Sequence, residues 1–460
     1  MSSRIKKCKP LDLLVPERLD LVVKYLYIIA KQESQNFEYY KNLYLKHIEK
    51  RTGGKQYIYE YKKGKPTPQG EKLNLDDYLY YFDKLINSFT VNGFKSEFFI
   101  PISSLNGILL DGAHRAACSI YFTEAPFIKK EERNGRSWDY KWFINNDFND
   151  EELNDILNTY LKLKKNHIFV CILWSPVEDY WNDIETDVAN NSKIVFSKDY
   201  TFHRDSFNQV VNDVYSYEFG TILPKKIEKK IEVLSRYTPK IRFILFELDK
   251  PKYLERGSDK LCIQVSNMKT SVRDKWDSLV RKEMFVTLHA SDNISHTDYI
   301  RRIFMSSNNL RIMNQRRDRT YRITFLNWLE EYKRIIESYD ISQDDCCIVG
   351  SGPMEVLGIR DSTDIDFILI TKVRDRLFSE KSKSLSENVD LVHKGYHEYN
   401  NDCNPISDND IIMNPNYHFY FRGLKFANIE IIQERKKNHK REKDVIDTGL
   451  IDNFMRRLDK

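Results

Sequence analysis

The sequence predicts a multidomain chain of the α+β / α/β class, on three observations. Its 460 residues exceed what one core serves, since single hydrophobic cores rarely grow past about 250–300 residues. Segments with helical spacing alternate with short apolar runs of strand length. The 28 Tyr and 26 Phe stand against only 16 Gly and 13 Pro, a composition for packed domains rather than long flexible linkers. Polar, turn-rich gaps after about residues 143–151 and at 306–309 divide the chain into units 1–165, 166–315 and 316–460.

Charge and cysteine narrow the function classes. Lys and Arg number 73 against 68 Asp and Glu, a net +5, which describes a mixed solvated surface and not a chain built to coat nucleic acid. No stretch approaches the roughly 18 apolar residues of a membrane span, and the first residues lack the apolar stretch of a signal peptide. The seven Cys are odd in number and contain no C-x-x-C pair, so neither a disulfide framework nor a zinc knuckle is expected. The expectation is a cytoplasmic protein with reduced thiols.

In the first unit, Leu19 to Ala30 and Leu75 to Phe89 carry helical periodicity, and Asn74 is placed to cap the second helix. Phe98 to Ile102 and Ile108 to Leu110 read as strands joined by the Asn106-Gly107 turn. The chain then turns sharply at Asp111-Gly112 into a helix carrying His114 and Arg115. Free backbone N–H groups at such a helix start, with a His and an Arg beside them, suit a phosphate, and Asp111 could take a proton or a metal. The alternative is a plain polar turn in which Asp111 caps the helix while His114 and Arg115 face water.

The run Asn106–Ala117 resembles the phosphate-binding motif of the ParB/sulfiredoxin-like fold, nearest to members that open it with Asp-Gly and act as small-molecule kinases. The resemblance covers 90–125. It implies nucleotide-phosphate contact by Gly112, His114 and Arg115, with Asp111 as base, and carries over no DNA binding.

The middle unit offers strands at Ile168–Trp174, Ile241–Glu247 and about 284–290, and a helix from about Thr297. Ligands gather at the carboxyl ends of strands in open α/β sheets, so His289, Ser291, Asp292 and Asn293 are candidates. His289, Asp292 and His296 offer metal-ligating atoms, although Asp-Asn before a helix is also a cap and a lone strand His is ordinarily satisfied by the core. Glu178 and Asp179 are equally open to either reading, and the middle unit resembles no family.

The C-terminal unit carries the densest signal. After a helix with Phe325, Trp328, Leu329, Tyr332, Ile335 and Ile336 on one face, the strand Cys346–Val349 ends at Gly350-Ser351. A short helix through Met354 to Leu357 follows, then a strand with Asp364 and Asp366. Residues two apart on a strand share a face, and paired carboxylates repel unless a hard cation such as Mg²⁺ or Mn²⁺ lies between them. A Gly-Ser turn lets phosphates approach the backbone. The run Leu424–Ile432 reads as a neighbouring strand that brings Glu430 as third carboxylate. A solvated amphipathic strand is the alternative for the Asp pair.

This segment resembles the DNA polymerase β-type nucleotidyltransferase superfamily over roughly 325–450. The resemblance implies a mixed sheet with helices, metal held by Asp364, Asp366 and Glu430, and nucleotide contact by Gly350 and Ser351. The closing stretch is similar to small nucleotidyltransferase-like proteins of glycan and surface-polysaccharide metabolism. Superfamily members more often use Asp where Glu430 stands, which puts that residue in doubt. Lys443, beside Arg441, is a candidate triphosphate contact or a charged helix face. Arg360 and Asp361 could orient substrate or form a solvated loop pair.

The expectation is therefore Mg²⁺-dependent nucleotidyl or phosphoryl transfer from a nucleoside triphosphate to a small acceptor, a sugar or polyol phosphate, with a kinase in the first unit. The rivals are a toxin-like transferase that modifies protein or RNA, and a nucleotide-binding scaffold without turnover. The arginines from Arg311 to Arg322 suit an RNA or polyphosphate contact, or a solvated linker face.

Overall fold

The structure is a computed structural model that describes residues 5–33, 36–62, 65–95, 97–220, 222–256, 259–280, 286–317, 319–378, 383–392, 406–439 and 441–458. Helices and several small sheets are mixed along the chain. By contact density it falls into two compact units. One comprises Met1–Ile168 with the short returns Asn191–Phe196 and Leu245–Lys250, and the other comprises Phe169–Asn190, Ser197–Ile244 and Pro251–Lys460. The stretches 166–315 and 316–460 thus share most of one unit. Among the described residues no helix is long and apolar enough to cross a membrane.

In the first unit the helix Asp20–Glu33 is buried on most of its surface, with Leu21, Val22, Val23 and Ile28 fully enclosed. Its start is polar yet equally enclosed. Arg18 donates to both carboxylate oxygens of Asp20 at 2.6 and 2.8 Å, and Lys24 adds a third bond at 3.0 Å. Burial pulls Asp20 upward, but Arg18 and Lys24 hold its carboxyl well below the usual range. Asn74 caps the helix Leu75–Asn92 in a full capping box with Asp77. The strands Lys6–Lys7, Phe127–Glu131 and Ile100–Ser103 make one small sheet, with Phe127–Glu131 central. Past the Gly107 turn only a single bridge, Ile102 to Leu109, remains of the expected hairpin, because the chain leaves the sheet at once for the turn at Asp111.

Besides the two-stranded pair Tyr253–Arg256 and Asp259–Cys262, the later chain forms two larger sheets among the described residues. In the four-stranded one Leu288–Ala290 lies beside Ile168–Trp174, followed by Lys240–Glu247 and Lys193–Thr201. The run Ile168–Trp174 is buried at every position, as a strand covered on both faces requires. The six-stranded sheet runs Lys383–Ser384, Val389–Leu391, Ile365–Leu369, Cys346–Val349, Leu424–Ala427, His418–Phe421. Phe325, Leu329, Tyr332 and Ile336 of the helix Ile323–Ser338 join its core with Ile348 and Phe367.

Two expectations need correction here. The strand starting at Leu424 stops at Ala427, and Ile429–His439 is a helix, so Glu430 lies in a helical first turn and not on a strand. The arginines before Ile323 are not a uniform solvated face. Arg316 is buried, paired with Asp213 and set over the Phe421 ring at 5.1 Å, while Arg319 and Arg322 bind Glu355. Asp213 also accepts the Arg422 backbone N–H at 2.8 Å. A buried guanidinium needs such a carboxylate, and its partner lies too far along the chain for local pattern to show.

Candidate functional site

The strand Cys346–Val349 pairs antiparallel with Ile365–Leu369, which pairs in parallel with Val389–Leu391. In that parallel pair Asp366 is directly opposite Asp390, so their side chains leave the same face of the sheet. Asp364, two residues before Asp366, shares that face. One carboxylate oxygen from each of Asp364, Asp366 and Asp390 lies within 4.8 Å of the others. Alternate neighbours Ile365, Phe367, Val389 and Leu391 go fully into the core.

Gly350 closes the third side. Its φ is +66°, and a Cβ built there would collide with the Asp366 carboxylate. Only glycine both adopts that backbone readily and leaves the carboxylate its room. Ser351 follows, 8 % exposed, at the head of the short helix Gly352–Val356.

The loop between helix and acidic strand is anchored on Glu355, a buried carboxylate. It accepts from Arg322 at 2.6 Å and from the Ser362 amide and hydroxyl at 2.7 and 2.5 Å. Arg360 makes a two-pronged bond to Asp447 at 2.5 and 2.7 Å, and Asp447 also takes Lys436 at 2.6 Å. Arg441 pairs with Asp444 at 2.6 Å. Asp361 is exposed and 3.4 Å from Arg322. Arg360 and Arg441 thereby brace the last helix, Glu442–Leu458, and the loop before Asp364.

Burial, reinforced by the Asp364 charge, pushes Asp366 up to about 6; Arg435 and Lys443 pull against this, and Asp390 adds to it. Lys443 is thus close enough to act on the acidic cluster. Three carboxylates crowded on half-buried sheet surface are held at a cost unless a cation joins them. The Asp390 Oδ1 atom is buried and has no hydrogen-bond partner among the described residues, as a carboxylate oxygen reserved for a metal would be. An all-oxygen, all-carboxylate donor set of this kind fits Mg²⁺ or Mn²⁺.

Glu430 is not part of this cluster. Its carboxylate reaches Arg311 at 3.3 Å, and the third carboxylate grouped with Asp364 and Asp366 is Asp390. The signal for Asp390 was present but thin: one acidic residue between Val389 and Leu391, in a strand of three residues.

In the first unit, Gly112 has φ +80° and precedes the helix Ala113–Tyr121. Its amide donates to the adjacent Asp111 carboxylate at 2.7 Å. Arg115 folds back, donating to the Phe99 carbonyl at 3.1 Å, and its guanidinium covers the space a Gly112 side chain would need. His114 is bonded through Nε2 to the Tyr44 hydroxyl at 2.9 Å and packs edge-on to Phe82. Burial, then the charges of Lys24, Lys72 and Arg51, hold its imidazole neutral, well below the usual histidine range. Lys72 is itself pushed down to about 8 by burial and Arg51, with Asp111 countering, and lies over the Tyr78 ring at 4.4 Å. Lys72 and Arg51 leave no mark in the motif, because they come from a hairpin strand and a helix end far from it, and both charges bear on His114.

The middle-unit candidates divide. Ser291 is structural, bonding Val170 and Thr297, and Asn293 caps the helix Ile294–Phe304 by accepting the His296 amide at 2.7 Å. Asp292 pairs with Lys269 at 2.9 Å. Glu178 binds Lys240 and Thr238, and Asp179 is exposed. His289 and His296 face each other, and Glu218 lies beside them.

The chain matches no protein-family model, no curated protein and no solved structure.

Proposed function

We propose that the C-terminal part of the chain transfers a nucleotidyl group from a nucleoside triphosphate to a small acceptor, a sugar or polyol phosphate of glycan or surface-polysaccharide metabolism. The observation that carries this reading is the convergence of Asp364, Asp366 and Asp390 on one sheet face against Gly350, a turn that has no side chain to hold a phosphate away. In the proposed reaction an acceptor phosphate oxygen attacks the α-phosphorus, a new P–O bond forms there, and the bond to the bridging oxygen breaks to release pyrophosphate. The three aspartates would hold Mg²⁺ or Mn²⁺, which when bound neutralises charge on entering and leaving oxygens. Lys443 and Arg435 supply fixed positive charge near Asp366, suited to the triphosphate tail. The loop anchored on Glu355 keeps Asp364 in position.

For the first unit we propose phosphate handling of the kinase type, with Asp111 as base and Lys72, Arg51 and the Gly112 turn facing the nucleotide. The observation favouring it is that the charges of Lys72 and Arg51 bear on a turn carrying Asp111 and a neutral, buried His114.

The test incubates the purified chain with Mg²⁺, each ribonucleoside triphosphate, and a panel of sugars, polyols and their phosphates. Pyrophosphate release that disappears in Asp366→Asn supports the transferase. Full release in that variant refutes it, label on protein or RNA redirects it to a macromolecular target, and tight nucleotide binding without turnover replaces it with the scaffold. Nucleoside-diphosphate release lost in Asp111→Asn supports the kinase, and release unchanged there refutes it.

A further inference from the structure

We propose that His289, His296 and Glu218 form a second metal site, for a divalent transition ion of the zinc class, distinct in chemistry from the all-carboxylate cluster. His289 comes from the strand Leu288–Ala290, His296 from the first turn of the helix Ile294–Phe304, and Glu218 from the end of the helix Phe207–Phe219. One ligand atom of each lies within 4.8 Å of the others. The two imidazole Nε2 atoms are 3.2 Å apart. Two nitrogens on one tetrahedral zinc, each bonded at about 2.0–2.1 Å, stand about 3.3 Å from one another, so the pair is already spaced to share an ion.

The rings are fixed from outside. His296 stacks on Tyr217 with centroids 4.4 Å apart and planes within 9°, and His289 meets Tyr215 edge-on at 4.8 Å. Tyr217 also donates to Asn293, the cap that sets the His296 turn. Both histidines are almost wholly buried, at 3 % and 1 % exposure, whereas Glu218 is exposed.

The nearby charges do not bar a cation. Lys269 is paired with Asp292 at 2.9 Å, Arg273 donates to the Leu288 carbonyl at 3.0 Å, and Lys230 rests over Tyr215 at 5.0 Å. Two nitrogens and one carboxylate select Zn²⁺ over Mg²⁺. Three protein donors also leave a fourth position open, the composition of a site that works on a ligand and not one that only staples the fold.

The experiment titrates the full-length reduced chain with Zn²⁺ against a chromophoric chelator, in millimolar Mg²⁺ so that the acidic cluster is not counted, and repeats it with Co²⁺ followed by visible absorption. The wild type should take one Zn²⁺ with a rise in Tm, and its Co²⁺ form should absorb as a tetrahedral nitrogen and oxygen site without thiolate bands. His296→Gln and Glu218→Gln should each weaken binding at least tenfold and abolish the Tm rise. Glu218→Gln alters an exposed side chain, so it keeps the test decisive should the histidine variant fold poorly. Wild-type affinity in Glu218→Gln, thiolate bands in the Co²⁺ spectrum, or no Zn²⁺ uptake would overturn the assignment and leave the histidines as a simple N–H···N pair. The Asp366→Asn chain should bind Zn²⁺ like wild type, which separates this site from the transferase reading.

Discussion

Replacing Asp366 by Asn should destroy Mg²⁺ binding and at the same time make the metal-free protein more stable. Asp366 is raised from 3.8 to about 6 by burial and by Asp364. A carboxyl whose folded value is raised favours the folded state least when ionised, so stability is full below about pH 4 and falls as pH rises through about 6. A shift of roughly two units corresponds to about 3 kcal/mol at neutral pH and above. Asn keeps the shape without the charge and should recover most of that amount at pH 8 and nothing at pH 4. The assay is Tm by differential scanning calorimetry or fluorescence at both pH values, with and without Mg²⁺. Wild type should gain stability from Mg²⁺ at pH 8, whereas the variant should start higher and gain none. A variant no more stable than wild type at pH 8, or one that Mg²⁺ stabilises equally, would refute the reasoning that an unrelieved like-charge cluster waits there for a cation.

Asp390→Asn should lose pyrophosphate release and Mg²⁺ stabilisation as completely as Asp366→Asn, while Glu430→Gln, paired only with Arg311 among the contacts described, should keep at least half the activity. Gly350→Ala forces a Cβ into the Asp366 carboxylate at a positive φ, and should cost about 1–3 kcal/mol with loss of Mg²⁺ binding, read by denaturation and Tm shift. Glu355→Ala removes the buried partner of Arg322 and Ser362 and should destabilise by about 3–5 kcal/mol in urea unfolding. Lys443→Ala should raise the KM for nucleoside triphosphate several-fold with little change in stability, because its side chain is exposed.

Much of the fold and part of the acidic site are legible in the sequence because their signals are local. The Gly350-Ser351 turn, the spacing of Asp364 and Asp366, and the fully apolar run Ile168–Trp174 each follow from periodicity over a few residues. Asn74 capping Leu75–Asn92 was equally readable. Glu430 was misplaced because Ile429–Ile432 is an apolar run whose length does not separate a strand from a buried helix turn. Asp390 was missed because three residues have no measurable period, and only pairing with Asp366 gives it a face. Arg316 looked solvated because its carboxylate, Asp213, is 103 residues away. Lys72 and Arg51 belong to the same class, since long-range convergence leaves no local mark.

The third carboxylate of the acidic cluster rests on a strand of three residues whose outer neighbour pairs through only two. A slip of that strand by one residue would turn Asp390 to the opposite face and swing Val389 or Leu391 toward Asp364 and Asp366. The proposed cation site is therefore a property of strand register as much as of side-chain identity. Fraying near this end of the sheet could silence the chemistry while the core around Ile348 and Phe367 stays folded, so loss of Mg²⁺ binding should precede global unfolding as denaturant is raised.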